Sequence, residues 1–266
     1  MKKIGFIGAG NMASAIAGGI ISSGIETANN ILIFDKNELQ YSKFDANCIK
    51  MGSIKELVLN SNYIFFSIKP QNIKDVLNEI KDTSIVGKVF VSICAGITIK
   101  SIESTLNNAK IVRTMPNTPL MIGEGVTALC RNQLVTDDEF SYVTSLFSSS
   151  GFTEELLEED IDKITAITSS SPAYVYLFAK AMRDGAIKMG FNNDNTLEMI
   201  CRTIIGSAKM ILASDKSVDE LITMVKSPNG TTERALNVFE SSSFEETIAE
   251  AMDACAKRAN ELAKMN

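Results

Sequence analysis

Short apolar segments alternate with amphipathic ones along the first half of the chain. The apolar segments are rich in Ile, Val and Phe, as is typical of buried strands. Helical spacing of apolar residues separates the earlier ones, and such alternation predicts βαβ units with a parallel sheet. The predicted strands lie at 4–8, 31–35, 63–68, 88–95 and 110–115.

Two further segments continue this pattern towards the middle of the chain. The apolar segment 125–130 is a candidate for an additional strand of the same sheet. The segment 136–151 begins with a Thr-Asp pair, which is typical of a helix start, and ends on a glycine, which is typical of a helix stop. We therefore expect the sheet domain to end near residue 155.

Beyond residue 155 the apolar residues recur with helical spacing, and no further strand is predicted. The acidic segment 154–160 predicts a solvated junction. The pattern thus predicts an α/β domain over residues 1–155 and an all-helical domain over residues 156–266. The predicted helices of the second domain are 172–190, 196–213, 217–225, 232–240 and 244–264.

Composition agrees with two domains and narrows the class of partner. The chain has 266 residues, 45% of them apolar, which is enough for a large core. The net charge of −6, without a basic cluster, argues against a nucleic acid or an anionic membrane and favours a small solute. Asn11 interrupts the apolar start early and no long apolar span follows, so neither a cleaved leader nor a membrane helix is predicted.

The five cysteines are scattered and form no CxxC pair. Neither a disulfide framework nor a zinc site is therefore predicted. This cysteine usage is typical of a reducing compartment, and we expect a cytoplasmic protein without a bound metal.

The segment GAGNMA, Gly8 to Ala13, follows the first strand and opens a helix. Its GxGxxA spacing in this context is typical of dinucleotide binding by a Rossmann fold. Gly8 permits the tight turn, Gly10 allows a pyrophosphate to approach the backbone, and Ala13 allows close helix packing. Asp35 ends the second strand. It is either the acid that hydrogen-bonds the ribose hydroxyls or a plain turn residue.

Further motifs are spread over nearly the whole chain: SIKP at 67–70, CAGITI at 94–99, RTMPNTP at 113–119, EG at 124–125 and SPNGTT at 227–232. Together with the glycine loop they resemble the pyrroline-5-carboxylate reductase family, whose members reduce a cyclic imine to L-proline as the last step of proline biosynthesis. The resemblance implies a Rossmann domain followed by an all-α dimerisation domain. It also implies a homodimer, or a decamer built from dimers, that uses NADH or NADPH.

The resemblance places three strand-end segments along the cofactor, since ligands of open α/β sheets lie at the carboxyl ends of strands. Structural explanations remain open: the prolines end strands, Lys69 is a solvated charge, and Met115 fills the core. The implied cofactor-binding residues are Gly8, Ala9, Gly10, Asn11, Met12, Asp35, Ser67, Ile68, Lys69, Pro70, Cys94, Ala95, Gly96, Met115, Pro116, Asn117, Thr118 and Pro119.

The charge at the end of the second strand bears on the choice of cofactor. The Asp35 carboxylate accepts hydrogen bonds from ribose hydroxyls but repels a 2′-phosphate, and the adjacent Lys36 offsets part of that repulsion. We therefore expect a preference for NADH.

A loop of turn formers and hydroxyls, Ser227 to Thr232, lies in the helical half. An imine acid requires a cradle for its carboxylate, and the backbone N–H groups around Asn229, Gly230 and Thr231, at a helix start, would supply one. In this interpretation the Thr232 hydroxyl faces the imine nitrogen. The chain has no histidine, but a cyclic imine takes its proton from solvent, so positioning and electrostatics suffice. The alternative is a simple helix connection with Thr232 as its cap.

The sequence departs from the family pattern in two places. Ser169 and Ser171 replace glycines in TSSSPAY, where Pro172 suits the first turn of a helix capped by Ser171. Asn229 stands where glycine is usual, although asparagine also tolerates left-handed geometry. The implied substrate-binding residues are Ser170, Ser227, Asn229, Gly230, Thr231 and Thr232, with Thr232 as the catalytic one.

Two other functions remain open. A related imine reductase or hydroxyacid dehydrogenase would carry an acid/base lysine in the helical half, where Lys180 and Lys188 are candidates by position alone. A non-catalytic dinucleotide-binding regulator would have lost its activity through the serine replacements. Apolar residues are also dense in the helical half, which predicts packing against a second copy. The densest segment contains Ile200, Ile204, Ile205, Met210, Ile211 and Leu212.

Overall fold

A computed structural model describes the backbone of residues 2–265 and the side chains of residues 2–261. Within this part, one eight-stranded sheet occupies the first half of the chain. Its strands are β1 (Ile4–Ile7), β2 (Ile31–Phe34), β3 (Ile49–Lys50), β4 (Tyr63–Phe66), β5 (Val89–Ser92), β6 (Lys110–Pro116), β7 (Gly125–Arg131) and β8 (Gly151–Glu155).

The spatial order of the strands is β3-β2-β1-β4-β5-β6-β7-β8. Neighbours pair in parallel except β6 and β7, which are antiparallel because only a short connection joins them. The order reverses direction between β1 and β4, so the carboxyl ends of these strands form a topological switch point. In open α/β sheets, ligands bind at this place.

The helices fall between the strands in the first half and follow one another in the second. A π-helix, Thr165–Ser169, joins the sixth helix to the seventh. The helices are α1 (Asn11–Ser22), α2 (Ile54–Asn60), α3 (Ile73–Ile80), α4 (Ile99–Glu103), α5 (Asp137–Ser148), α6 (Glu158–Ile164), α7 (Ser171–Lys188), α8 (Thr196–Ala213), α9 (Val218–Val225), α10 (Thr231–Ser241) and α11 (Phe244–Met265).

Apolar packing covers both faces of the sheet. Phe6 stacks on Phe65 in one cluster at 4.6 Å between ring centroids, whereas Phe66 stacks on Phe90 in the other at 5.4 Å. Because successive residues of a strand point to opposite faces, adjacent phenylalanines serve opposite clusters. This double burial explains why the central strands are continuous apolar segments in the sequence.

The chain forms two compact units. The first contains the residues up to Ser170 and those from Cys255 onward, and the second is Ser171–Ala254. The sequence-based boundary at residue 155 coincides with the end of β8, but α6 and the π-helix also belong to the first unit. The assignment of residues 1–155 to dinucleotide binding and 156–266 to substrate binding stays a prediction.

Two strands were not predicted from the sequence. Both β3 and β8 lie at the edges of the sheet and carry exposed side chains, for example Phe152 with 63% exposure. Edge strands lack the double burial that makes the central strands apolar, so their pattern gives no signal. The acidic segment 154–160 is therefore no simple junction, because it contains the end of β8 and the start of α6.

Candidate active site

The turn after β1 requires glycine at its first position. Gly8 has φ +98°, and a Cβ there would lie 2.5 Å from the Ser67 carbonyl oxygen. The Ser67 hydroxyl also donates to the carbonyl oxygens of Ile7 and Gly8, at 3.0 and 2.8 Å. The close approach of β1 and β4 thus fixes the conformation of the loop.

Gly10 has no such constraint from the protein. Its φ of −72° is open to any residue, and no atom lies within 4 Å of the position that a Cβ would take. Gly10 is the N-cap of α1, and no side chain caps that helix. The first turn of α1 therefore has no side-chain cap, and the space beside Gly10 is open, which fits a phosphate group that approaches the backbone closely.

A cleft of about 450 Å³ lies at this switch point. The glycine loop, the end of β2 and the segment after β4 bound it. Six of the predicted cofactor residues line it together: Gly8, Gly10, Asp35, Ser67, Ile68 and Lys69. Of the others nearby, Ala9 is buried inside the loop, Asn11 and Met12 open α1, and Pro70 begins a short 3-10 helix.

Asp35 is held firmly at the cleft. Its Oδ2 accepts the N–H of Ala9 at 2.7 Å, and its Oδ1 accepts the N–H of Asn37 at 2.8 Å. The Tyr41 hydroxyl binds the backbone N–H and carbonyl of Asp35, at 3.0 Å each. The bond to Asn37 is that of a turn residue, whereas the bond to Ala9 reaches the glycine loop. Each carboxylate oxygen keeps a lone pair that could accept a ribose hydroxyl, and this role stays a prediction.

Three predicted cofactor residues have side chains that serve the protein interior. The Cys94 thiol donates to the carbonyl oxygens of Phe66 and Ile68, and burial raises its pKa to about 11. Met115 is 5% exposed and fills the core, as the structural alternative held. Both side chains contact the protein interior, and the predicted cofactor contacts of Cys94 and Met115 stay a prediction.

Asn117, the third, is 6% exposed and joins two elements of the first unit. Its Nδ2 donates to the Thr168 carbonyl at 3.0 Å, and its Oδ1 accepts the N–H of Val126 at 2.9 Å. It thus ties the π-helix to β7. The remaining predicted residues follow β5 or lie at and after the end of β6, and their role stays a prediction: Ala95, Gly96, Pro116, Thr118 and Pro119.

A buried ionic cluster was missed from the sequence. Arg113 on β6 is 1% exposed and pairs with Glu158 and Asp162 of α6, at 3.3 and 2.5 Å. The same Glu158 oxygen accepts the N–H of Ile99 at the start of α4, at 2.7 Å. A basic residue inside an apolar strand was the available signal, because a buried charge requires a partner.

Ser170 ends the π-helix and lies against the last helix. Its hydroxyl accepts the Cys255 thiol at 3.3 Å, and its N–H donates to the Thr165 carbonyl at 2.8 Å. The π-helix runs almost directly into α7, whose first residue is Ser171. The predicted role of Ser171 as the cap before Pro172 is therefore wrong.

The loop Ser227 to Thr232 belongs to the second unit. A Cβ on Gly230 would lie 2.9 Å from the Ser227 carbonyl oxygen, so a larger residue here would require the loop backbone to shift. Asn229 has φ +57°, the left-handed geometry that the sequence allows for. Its N–H, however, donates to the Glu233 carboxylate at 2.8 Å. The Gly230 N–H donates to the Ser227 carbonyl at 2.9 Å.

Two of the predicted carboxylate donors are therefore occupied within the loop. The N–H groups of Thr231 and Thr232, the first two residues of α10, remain for a ligand. The N-cap of α10 is Gly230, so the alternative role of Thr232 as a helix cap is wrong. Among the described residues, the Thr232 hydroxyl has no hydrogen-bond partner, and the residue lines an apolar groove with Met210, Ile211 and Leu236.

Other kinds of site find little support in the described part of the chain. Residues 2–261 bring no three metal-ligating side chains together. None of the described helices is long and apolar enough to cross a membrane.

Comparisons with known proteins agree with these features. The family model described as pyrroline-5-carboxylate reductase dimerisation matches residues 158–262. One described as NADP oxidoreductase, coenzyme F420-dependent, matches residues 3–96. Pyrroline-5-carboxylate reductase of Escherichia coli K12 is 35% identical over 99% of both chains, and that of Pisum sativum is 34% identical over 97% of this chain and 95% of its own.

A solved structure extends the likeness to three dimensions. Pyrroline carboxylate reductase of Plasmodium falciparum with NADP bound is 33% identical, covers 98% of both chains and superposes with a TM-score of 0.91. The resemblance carried by the motifs is thus confirmed, and the chain belongs to the pyrroline-5-carboxylate reductase family.

Proposed function

We propose that this protein reduces L-1-pyrroline-5-carboxylate to L-proline with NADH or NADPH, as the final step of proline biosynthesis. The observation that carries the proposal is Gly10, a glycine that neither its backbone angles nor its neighbours require, at the start of α1 in a member of this family. The P. falciparum relative has NADP bound, which supports a nicotinamide dinucleotide as ligand. A reduced nicotinamide supplies a hydride to the imine carbon.

The residues of the first unit bind and orient that dinucleotide. Backbone N–H groups at the start of α1 receive the pyrophosphate, and Gly10 leaves room for it. Asp35 accepts hydrogen bonds from the ribose hydroxyls with the lone pairs that Ala9 and Asn37 leave free. The Asp35 charge favours NADH, since a 2′-phosphate there meets a carboxylate.

The loop Ser227 to Thr232 binds the substrate in this proposal. The N–H groups of Thr231 and Thr232 receive the substrate carboxylate at the start of α10, where the helix dipole favours an anion. The Thr232 hydroxyl, which has no partner among the described residues, orients the imine nitrogen. Solvent supplies the proton, and hydride reaches an already charged iminium carbon, so catalysis rests on positioning.

The assembly proposed is a homodimer, or a decamer built from dimers, in the cytoplasm. The family model that matches residues 158–262 is described as a dimerisation domain. The second unit accordingly exposes many large apolar side chains, which a solvated surface avoids. All five cysteines are free, in keeping with a reducing compartment. The exposed apolar residues include Val175, Tyr176, Leu177, Leu197, Met210, Ile211 and Leu212.

One assay separates this function from the two alternatives. The purified protein is mixed with L-1-pyrroline-5-carboxylate and NADH or NADPH, and L-proline formation is measured beside nicotinamide oxidation. We expect proline and oxidised cofactor in equal amounts. Dinucleotide binding without turnover would support a regulator instead. Turnover of a hydroxyacid alone would support a dehydrogenase, although the candidate Lys180 is already paired with Asp184 at 2.6 Å.

A further inference from the structure

We propose that Lys43 binds the 2′-phosphate of NADPH. Its positive charge offsets the repulsion between the phosphate and Asp35, so Asp35 weakens the binding of NADPH without preventing it. The inference rests on the dinucleotide binding proposed above. It assigns a specificity-determining role to a lysine outside the glycine loop and outside every motif that carries the family resemblance.

Lys43 links the start of α1 to the 3-10 helix that follows β2. It ends the 3-10 helix Glu38–Lys43 that follows β2. Its Nζ donates to Asn11 Oδ1 and to Gln40 Oε1, at 2.6 Å each. Asn11 is the first residue of α1, and Gln40 lines the cleft together with Asp35. Lys43 itself does not line the cleft, and its ammonium group is held one hydrogen bond away from the lining, through Gln40.

The charge of Lys43 is not neutralised by the protein. Both partners are neutral amides, and among the described residues no carboxylate oxygen lies within ion-pairing distance of its Nζ. Other lysines of the first unit differ, for example Lys110 and Lys163, which hold carboxylates at 2.6 Å. An ammonium has three protons, and two are used here. Its third proton and its full charge are available to a phosphate.

The neighbouring charges explain why such a cation is needed. Asp35 carries a negative charge at the ribose, although its two oxygens each accept a backbone N–H. Lys36 lines the cleft and offsets part of that charge, whereas Asp75 and Glu79 line the cleft as well. A 2′-phosphate therefore enters a partly acidic cleft, and a positioned ammonium without an ion pair is the group that offsets the repulsion.

The test compares two ligands that differ only in the 2′-phosphate. The dissociation constants of NADP⁺ and NAD⁺ are measured by calorimetry for wild type, Lys43→Met and Lys43→Arg, without any turnover. We expect Lys43→Met to weaken the binding of NADP⁺ about tenfold and that of NAD⁺ less than about twofold, because one charge-assisted hydrogen bond is lost. Lys43→Arg is expected to retain most of the affinity for NADP⁺.

Lys81→Met is the matched control, because among the described residues this exposed lysine neither lines the cleft nor hydrogen-bonds a residue that lines it. It is expected to leave both constants unchanged. If Lys43→Met lowers the affinities for NADP⁺ and NAD⁺ equally, Lys43 acts on the pyrophosphate or on the folding of the loop, and the proposal is overturned. An unchanged dissociation constant of NADP⁺ would show that Lys43 is only a solvated surface charge, and it would also overturn the proposal. Since binding is measured directly, a chain that forms no proline can still pass this test.

Discussion

The Asp35 carboxylate accepts the backbone N–H of Ala9 at 2.7 Å, so the residue that ends β2 also holds the glycine loop that follows β1. The second oxygen accepts the N–H of Asn37 and fixes the turn after β2. In the proposed function this side chain has two effects on the cofactor: its negative charge lies at the ribose, and its hydrogen bonds hold the conformation of the glycine loop.

Substitution of Asp35 is expected to separate these effects. We expect wild type to prefer NADH and Asp35→Ser to shift the ratio of kcat/KM towards NADPH, because the charge is lost. Asp35→Ser is also expected to weaken the binding of both cofactors about tenfold, since a hydrogen bond to a charged acceptor contributes about 1.5–3 kcal/mol. Asp35→Asn, which keeps an acceptor for Ala9, is the control for loop shape. A wild type that strongly prefers NADPH contradicts the assignment.

Alanine substitutions of the two glycines of the loop are expected to have different effects. Gly10→Ala places a Cβ in open space at φ −72°, so the melting temperature stays near wild type while dinucleotide affinity falls at least about tenfold. Gly8→Ala meets the Ser67 carbonyl at φ +98° and destabilises the fold by about 1–3 kcal/mol. Calorimetry measures both quantities. Wild-type affinity in Gly10→Ala would show that nothing binds closely there.

The glycine loop shows what the sequence could supply. Its spacing after an apolar strand predicted the turn and the helix start. The structure gives Gly8 a local geometric reason, whereas it leaves open space at Gly10. The contacts of Asn229 were not predictable in the same way. Asn229 was expected to tolerate left-handed geometry, and it adopts it. Its N–H also donates to the Glu233 carboxylate. This contact depends on the conformation of the Glu233 side chain, which residue spacing does not predict.

Arg113 shows the same limit for tertiary contacts. Its motif was noted in the sequence, yet its partners Glu158 and Asp162 lie on a helix far along the chain. Glu158 belongs to the segment 154–160, which was predicted to be a solvated junction, and Asp162 follows that segment. Ion pairs over such distances follow from the assembled sheet. The strands themselves were predictable, because burial on both faces leaves a continuous apolar pattern.

Loss of Arg113 is expected to destabilise the protein strongly. Arg113→Met leaves two carboxylates without their partner, at a cost of about 3–5 kcal/mol. The triple variant Arg113→Met, Glu158→Gln, Asp162→Asn is expected to recover part of this, because no buried charge remains. Lys163→Met, which breaks an exposed pair, costs less than about 1 kcal/mol. Urea unfolding measures all three, and equal losses for Arg113→Met and Lys163→Met would contradict the role.

The second unit is expected to associate with a second copy. Light scattering at micromolar concentration should give at least twice the chain mass of 28.9 kDa. Leu212→Glu, on an apolar side chain with 86% exposure, should shift the protein towards the monomer. Leu39→Glu is the control, since Leu39 is 79% exposed in the first unit. A stable and active wild-type monomer would refute the proposed interface.

Thr232 is the residue on which the proposed chemistry depends. Thr232→Ala removes the hydroxyl that orients the imine nitrogen, and the loss of such a hydrogen bond costs about 1–3 kcal/mol, so kcat/KM for L-1-pyrroline-5-carboxylate should fall about ten- to hundredfold. The dissociation constant of the dinucleotide should not change. Because Gly230, not Thr232, caps α10, the melting temperature should also stay near wild type.

Two variants serve as controls for this prediction. Thr231→Ala alters the neighbouring, exposed residue of the same helix turn and is expected to retain most activity, since the carboxylate is held by backbone N–H groups. Thr232→Ser keeps a hydroxyl and should retain more activity than Thr232→Ala. If Thr232→Ala keeps the kcat/KM of wild type, the hydroxyl makes no contact that matters in the transition state. The imine nitrogen is then oriented by another group, and only the carboxylate cradle of the loop remains.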